Sequence, residues 1–218
     1  MEVIMAESSF SISEAVSFGW KTATSNLVFF LVLMLIMFGI SVGFSLLIGI
    51  FQDGPAIFVI VLQLVSFVVN LIITLGMIKI ALAFVDGEKP DYKILFSTTP
   101  YMVKYFLASI LYGLIVMVGL LLFVIPGIIW AIKYSQIVYL VVDKGYGPIQ
   151  ALKASGKLTK GNRWNYLLFA FVMVGIELLG LLALVVGLLV AIPVVMLAAA
   201  FVYRQMESKA QNLDAAIA

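Results

Sequence analysis

Residues 27–85 read LVFFLVLMLIMFGISVGFSLLIGIF, then QDGP, then AIFVIVLQLVSFVVNLIITLGMIKIALAFV. A helix crossing the hydrocarbon core needs about 20 mostly apolar residues, and hydrocarbon offers no partner to an open backbone group. The first run, Leu27 to Phe51, has no charge, and the second, Ala56 to Val85, has only Lys79. Gly54 and Pro55 cannot easily continue a helix. The stretch therefore predicts a transmembrane helical hairpin. Its second leg, at 30 residues, exceeds the bilayer and must tilt, bend or project from it.

Working toward the C-terminus, the same reading gives four more spans. Tyr105 to Ile125 meets Pro126-Gly127, which is expected to close a tight hairpin into Ile128 to Val142, a short leg carrying Lys133. From Asn165 to Tyr203 the chain is apolar apart from Glu177, too long for one span and right for two. These are placed at 165–184 and 187–203, with a turn near Val185-Val186-Gly187 and Pro193 either marking that turn instead or kinking the last helix, and a tail over 204–218. The expected fold is an all-α polytopic membrane protein with one integral membrane domain over residues 1–218 and six transmembrane helices in three hairpins.

Composition agrees. The chain is 64% apolar and 11% charged, whereas soluble domains run near 45–50% and about 25%. With no His and no Cys, thiolate or imidazole metal sites, Ser-His-Asp and Cys-His triads and disulfide frameworks are excluded. No cofactor is expected. A net charge of only +2 gives no basis for a nucleic-acid partner. Met1 to Phe10 shows neither a basic n-region nor a small-residue cleavage site, so no cleaved signal peptide is expected.

Lys and Arg near span ends stay cytoplasmic. Lys21 precedes the first span; Lys89, Lys93 and Lys104 follow the second; Lys144, Lys153, Lys157, Lys160 and Arg163 follow the fourth; Arg204 and Lys209 follow the sixth. The three opposite turns have none. Both termini are thus expected to be cytoplasmic, in the cell membrane.

Each hairpin is preceded by a short amphipathic stretch, clearest over Pro148 to Lys160. Gln150, Lys153, Lys157 and Lys160 recur on one helical face, with Ile149, Ala151, Leu152, Ser155 and Leu158 on the other. Pro148 suits a first helical turn. Such a basic helix lies in the headgroup layer and attracts anionic lipid, or serves only as a topology anchor; Lys153, Lys157, Lys160 and Arg163 form its basic face. Near the N-terminus, Ser11 and Glu14 are spaced as a capping box, followed by Ile12, Ala15, Val16 and Gly19 on one face and Trp20.

Ionisable groups deep in the bilayer cost about 2.5–3.5 kcal/mol and mark function or a structural pair. At about 1.5 Å per residue, Lys133 lies about 9 Å from the turn at Gly127 and Glu177 about 12–15 Å from the last outer turn. An intramembrane polar cluster of Lys133 and Glu177, joined by Gln63, is expected, either fixing helix register or lining a polar path. Lys79 is close enough to its span end to snorkel. Gly39 and Gly43, with Ser41 and Ser45, and the pair Ser109 and Gly113, suit close helix packing within the chain. Trp20 and Trp164 fit one aromatic belt, Trp130 the other.

The stretches Pro126-Gly127-Ile128-Ile129 to Lys133-Tyr134, Ala151-Leu152-Lys153-Ala154-Ser155 and Gly161-Asn162-Arg163-Trp164 resemble prokaryotic six-span membrane proteins, including domains fused to glycerophosphoryl diester phosphodiesterases. The likeness runs from about Leu120 to Phe169. It implies a membrane module. The fused catalytic barrel, with its His and metal-binding carboxylates, has no counterpart in this chain, so that activity is not carried over. The resulting expectation is a non-enzymatic membrane protein, lipid-interacting or envelope-associated, working with the lipid bilayer and its anionic headgroups and with a membrane-protein partner or a second copy. The competing reading is a small transporter or channel built on Lys133, Glu177 and Gln63.

Overall fold

The structure is a computed structural model that describes residues 10–183 and 186–217. The described residues are helical, without strands, and six helical stretches are long and apolar enough to cross a membrane. The elements are α1 (Ile12–Ser25), α2 (Leu27–Ile50), α3 (Ala56–Val85), two short 3₁₀ turns (Tyr92–Phe96 and Thr99–Tyr101), α4 (Met102–Leu122), α5 (Val124–Lys133), α6 (Ile137–Lys144), α7 (Pro148–Leu158), α8 (Arg163–Leu182) and α9 (Leu188–Ile217). Of the expected last turn, Val185 lies outside the described residues, as do Met1 to Ser9 at the N-terminus. Pro193 does not form the turn; it lies inside α9.

Helix α9 is the pillar of the bundle, packed by α1, α2, α3 and α8. Its buried side includes Val194, Leu197, Ala198, Ala200, Val202, Tyr203 and Met206, and its alanines let neighbours approach closely. Gly19 of α1 sits directly against it: a Cβ at that position would lie 2.5 Å from the Val194 carbonyl oxygen. Phe18 and Phe201 stack at 4.8 Å beside this crossing. Helix α1 is thus docked along α9, with Ala15, Gly19 and Ala23 buried. Its Ser11 hydroxyl accepts from the Glu14 amide at 3.3 Å, as a capping residue should. The Glu14 carboxylate instead accepts from Gln205 Nε2 at 3.4 Å.

The third hairpin leg departs from the expected one. The bend falls at Phe123, whose backbone is extended, and Pro126 and Gly127 lie within the first turns of α5. Pro is tolerated there because early helical amides have no intrahelical acceptor. Gly127 serves packing instead: a Cβ on it would meet the Leu120 side chain at 2.5 Å, and one on Gly119 would lie 2.9 Å from the Gly127 Cα. The fourth span is longer than 128–142; it comprises α5 and α6, interrupted at Tyr134 to Gln136.

The glycines of the small-residue steps expected to pack within the chain do not approach a neighbouring helix. Nothing lies within 4 Å of a Cβ built on Gly39, Gly43 or Gly113. Spacing shows that small residues share a stripe, but not toward which neighbour the stripe is turned.

Candidate functional site

The break in the fourth span is where α7 docks. Interrupting a helix frees carbonyls and amides that a membrane protein must satisfy internally. Here the side chains of α7 do so. Ser155 Oγ donates to the Lys133 carbonyl at 3.0 Å and accepts from the Gln136 amide at 3.2 Å. Thr159 Oγ1 lies 3.0 Å from the same carbonyl. Ala151, Ser155 and Thr159 are buried, and the opposite edge carries Lys153, Lys157 and, just beyond the helix, Lys160, all exposed. Gly147 precedes the helix, its amide donating to Gln150 Oε1 at 3.3 Å, with Pro148 in the first turn as expected. Gly161, at φ +87°, turns the chain into α8; Arg163 opens that helix half-buried, and Trp164 is exposed.

Two clefts flank α7 at this basic end. One, of about 510 Å³, lies between α6, α7 and α9 and is walled by Lys144, Lys153, Lys157 and Glu207. The other, of about 360 Å³, is walled by Lys133, Tyr134, Leu152, Lys153, Gly156 and Lys157. The Lys133 ammonium sits 4.9 Å from the centre of the Tyr134 ring, a cation–π distance. Its stem crosses Gly156, where a Cβ would meet Lys133 Cε at 3.2 Å.

Beside the first cleft, Asp86, Asp143 and Glu207 are already engaged. Arg204 of α9 forks onto Asp86 at 2.7 and 2.8 Å, reaches Asp143 at 2.8 and 2.9 Å and Glu207 at 2.8 Å. Tyr203 donates to Asp143 at 2.8 Å. Lys144 pairs with Asp143 at 3.2 Å and with Glu207. This network ties the ends of α3 and α6 to the middle of α9. Sequence reading counted Lys144 and Arg204 only as sidedness charges. The available signal was Asp86 at the end of α3, Asp143 beside Lys144 at the end of α6, and Arg204 three residues before Glu207 within α9.

Among the described residues, Lys133, Lys153, Lys157, Lys160 and Arg163 are in no ion pair. Lys133 and Glu177 are not brought together. Glu177 is exposed on α8 and, among the described residues, has no hydrogen-bond or ion-pair partner. Gln63 is exposed on α3, a helix packed on α2, α4, α6 and α9, whereas α8 packs on α9 and α5. Counting along helices matched their depths; it did not supply the rotation of each helix about its own axis. Away from the basic end, a groove of about 1040 Å³ runs between α1, α8 and α9 with an almost wholly apolar wall that includes Trp20, Ile176, Gly180 and Val194.

Residues 57–210 match the family described as protein of unknown function (DUF975), and the chain belongs to that family. It is also similar to a UPF0259 membrane protein of Pectobacterium carotovorum subsp. carotovorum (strain PC1), with 31% identity over 94 residues, 43% of this chain and 38% of that protein. The match thus spans about two fifths of that relative's length. No solved structure matches. These findings support membership of a group of membrane proteins; the link to phosphodiesterase-fused domains stays a resemblance of motifs.

Proposed function

We propose that this chain is a non-enzymatic module of the cytoplasmic membrane whose basic end faces the cytoplasm and binds anionic lipid headgroups. The observation that carries the reading is the division of charge at that end. Asp86, Asp143 and Glu207 are taken up by Arg204 and Lys144, while the α7 lysines stand exposed without a counter-ion among the described residues. Anionic lipid supplies that counter-ion, at about 1 kcal/mol per Lys or Arg near the surface. The apolar groove beside α1 offers acyl chains a surface continuous with the bilayer. Among the described residues Lys133, Glu177 and Gln63 share no hydrogen bond or ion pair, which gives the transport reading no comparable support.

The test is native mass spectrometry of the protein released from mixed micelles of phosphatidylglycerol and phosphatidylcholine. The wild-type chain is expected to retain phosphatidylglycerol preferentially. The Lys153→Gln/Lys157→Gln/Lys160→Gln variant is expected to lose most of that preference, on the order of tenfold or more for three contacts. Equal retention of the two lipids by the wild-type protein would refute the reading.

A further inference from the structure

We propose that the cleft walled by Lys133, Lys153 and Lys157 is a site for a dianionic phosphate monoester group. The inference rests on the anionic-headgroup reading and narrows it to one cleft and one charge state. Lys153 and Lys157 are one helical turn apart and so share a face of α7. Both border the two clefts, but the third cation differs. In the larger cleft it is Lys144, already neutralised by Asp143 and Glu207, and Glu207 itself lines the wall. In the smaller one it is Lys133, which has no carboxylate partner among the described residues, and no acidic residue lines the wall.

Three lysines and no acid line this cleft of about 360 Å³, so its like charges favour entry of an anion. A phosphodiester brings one negative charge. A phosphate monoester near neutral pH brings about 1.5 to 2, with its second ionisation near pH 6, and three strong acceptor oxygens. One oxygen per lysine is the matching stoichiometry, and lysine binds phosphate as a point charge with rotatable donors. Gly156 leaves room for the Lys133 stem, since a Cβ there would crowd Lys133 Cε at 3.2 Å. The same chemistry is carried by a lipid with a terminal phosphate and by a soluble phosphate ester.

The experiment compares phosphatidic acid with phosphatidylglycerol of identical acyl chains on the intact protein, by native mass spectrometry at pH 6 and pH 8. Wild type is expected to favour phosphatidic acid, more strongly at pH 8. Lys133→Met is expected to lower that preference roughly tenfold, as for loss of one charge-assisted hydrogen bond, while phosphatidylglycerol retention over phosphatidylcholine persists. Lys133→Arg should keep much of the preference. Gly156→Val, which changes no charge, should reduce it by displacing Lys133, and therefore reports on the cleft even if Lys133→Met folds poorly. Displacement of bound phosphatidic acid by millimolar inorganic phosphate would support the phosphate site and assign its occupant to the soluble pool; no displacement would support it and assign the lipid. Equal retention of phosphatidic acid and phosphatidylglycerol would overturn this inference and leave the broader reading standing. Retention of neither above phosphatidylcholine would overturn both.

Discussion

Replacing Arg204 with Ala is expected to destabilise the detergent-solubilised protein by about 3 kcal/mol, the lower part of the range for removing one partner of a buried ion pair. The size follows from what is left behind. Arg204 is 22% exposed and its partners Asp143 and Glu207 are each 12% exposed, so their carboxylates cannot simply turn to water. Lys144 alone would then face Asp143 and Glu207, and Asp86 would lose its bidentate contact. The ends of α3 and α6, held to the middle of α9 by one guanidinium, would separate first. Arg204→Lys should recover only part of the loss, because one ammonium cannot reproduce a planar fork reaching three carboxylates. Thermal unfolding in a fixed detergent checks this, with an expected drop of roughly 6–12 °C for Arg204→Ala. An unchanged midpoint would show that the network contributes nothing measurable, as many exposed pairs do.

The second large effect separates glycines that look alike in sequence. Gly76→Val is expected to prevent accumulation of folded protein, whereas Gly39→Val is expected to be close to neutral. A Cβ at Gly76 would lie 2.4 Å from both the Cα and the carbonyl oxygen of Leu95, backbone atoms of the 3₁₀ turn Tyr92–Phe96. Backbone cannot rotate aside as a side chain can. Leu95 is itself fully buried in the core shared by α2, α3 and α9, so moving it opens that core as well. Overpacking costs about 1–3 kcal/mol when side chains absorb it, and more when they cannot. Gly39 is exposed with no atom within 4 Å of a built Cβ. Monodisperse yield from matched expression cultures checks the pair; equal yields would contradict the close approach of the turn to α3.

The spans were legible because hydrocarbon imposes length and apolarity on any stretch that crosses it. Thus α2 and α3 match the runs ending at Phe51 and Val85 almost residue for residue. The fourth span was less legible. Its break at Tyr134 to Gln136 is tolerated through hydrogen bonds from Ser155 and Thr159, about twenty residues further on, which no local pattern announces. The basic face of α7 was readable from helical spacing, since Lys153 and Lys157 are indeed on its exposed edge. Lys133 could be recognised as unusual, but not its direction: it turns toward α7 and Tyr134, not toward Glu177. The Arg204 network joins residues 118 and 61 apart in the chain, and separations of that kind are set by the packing of helices rather than by any pattern along one of them.

The account depends on the free lysines standing on the cytoplasmic side, where anionic lipid is concentrated. The chain contains no cysteine, so single Lys160→Cys and Asp53→Cys variants report sidedness against a silent background. In intact spheroplasts, a membrane-impermeant maleimide is expected to label Asp53→Cys and to leave Lys160→Cys unlabelled until the membrane is opened. Labelling of Lys160→Cys from outside, with Asp53→Cys protected, would place the basic end on the wrong side and contradict the account.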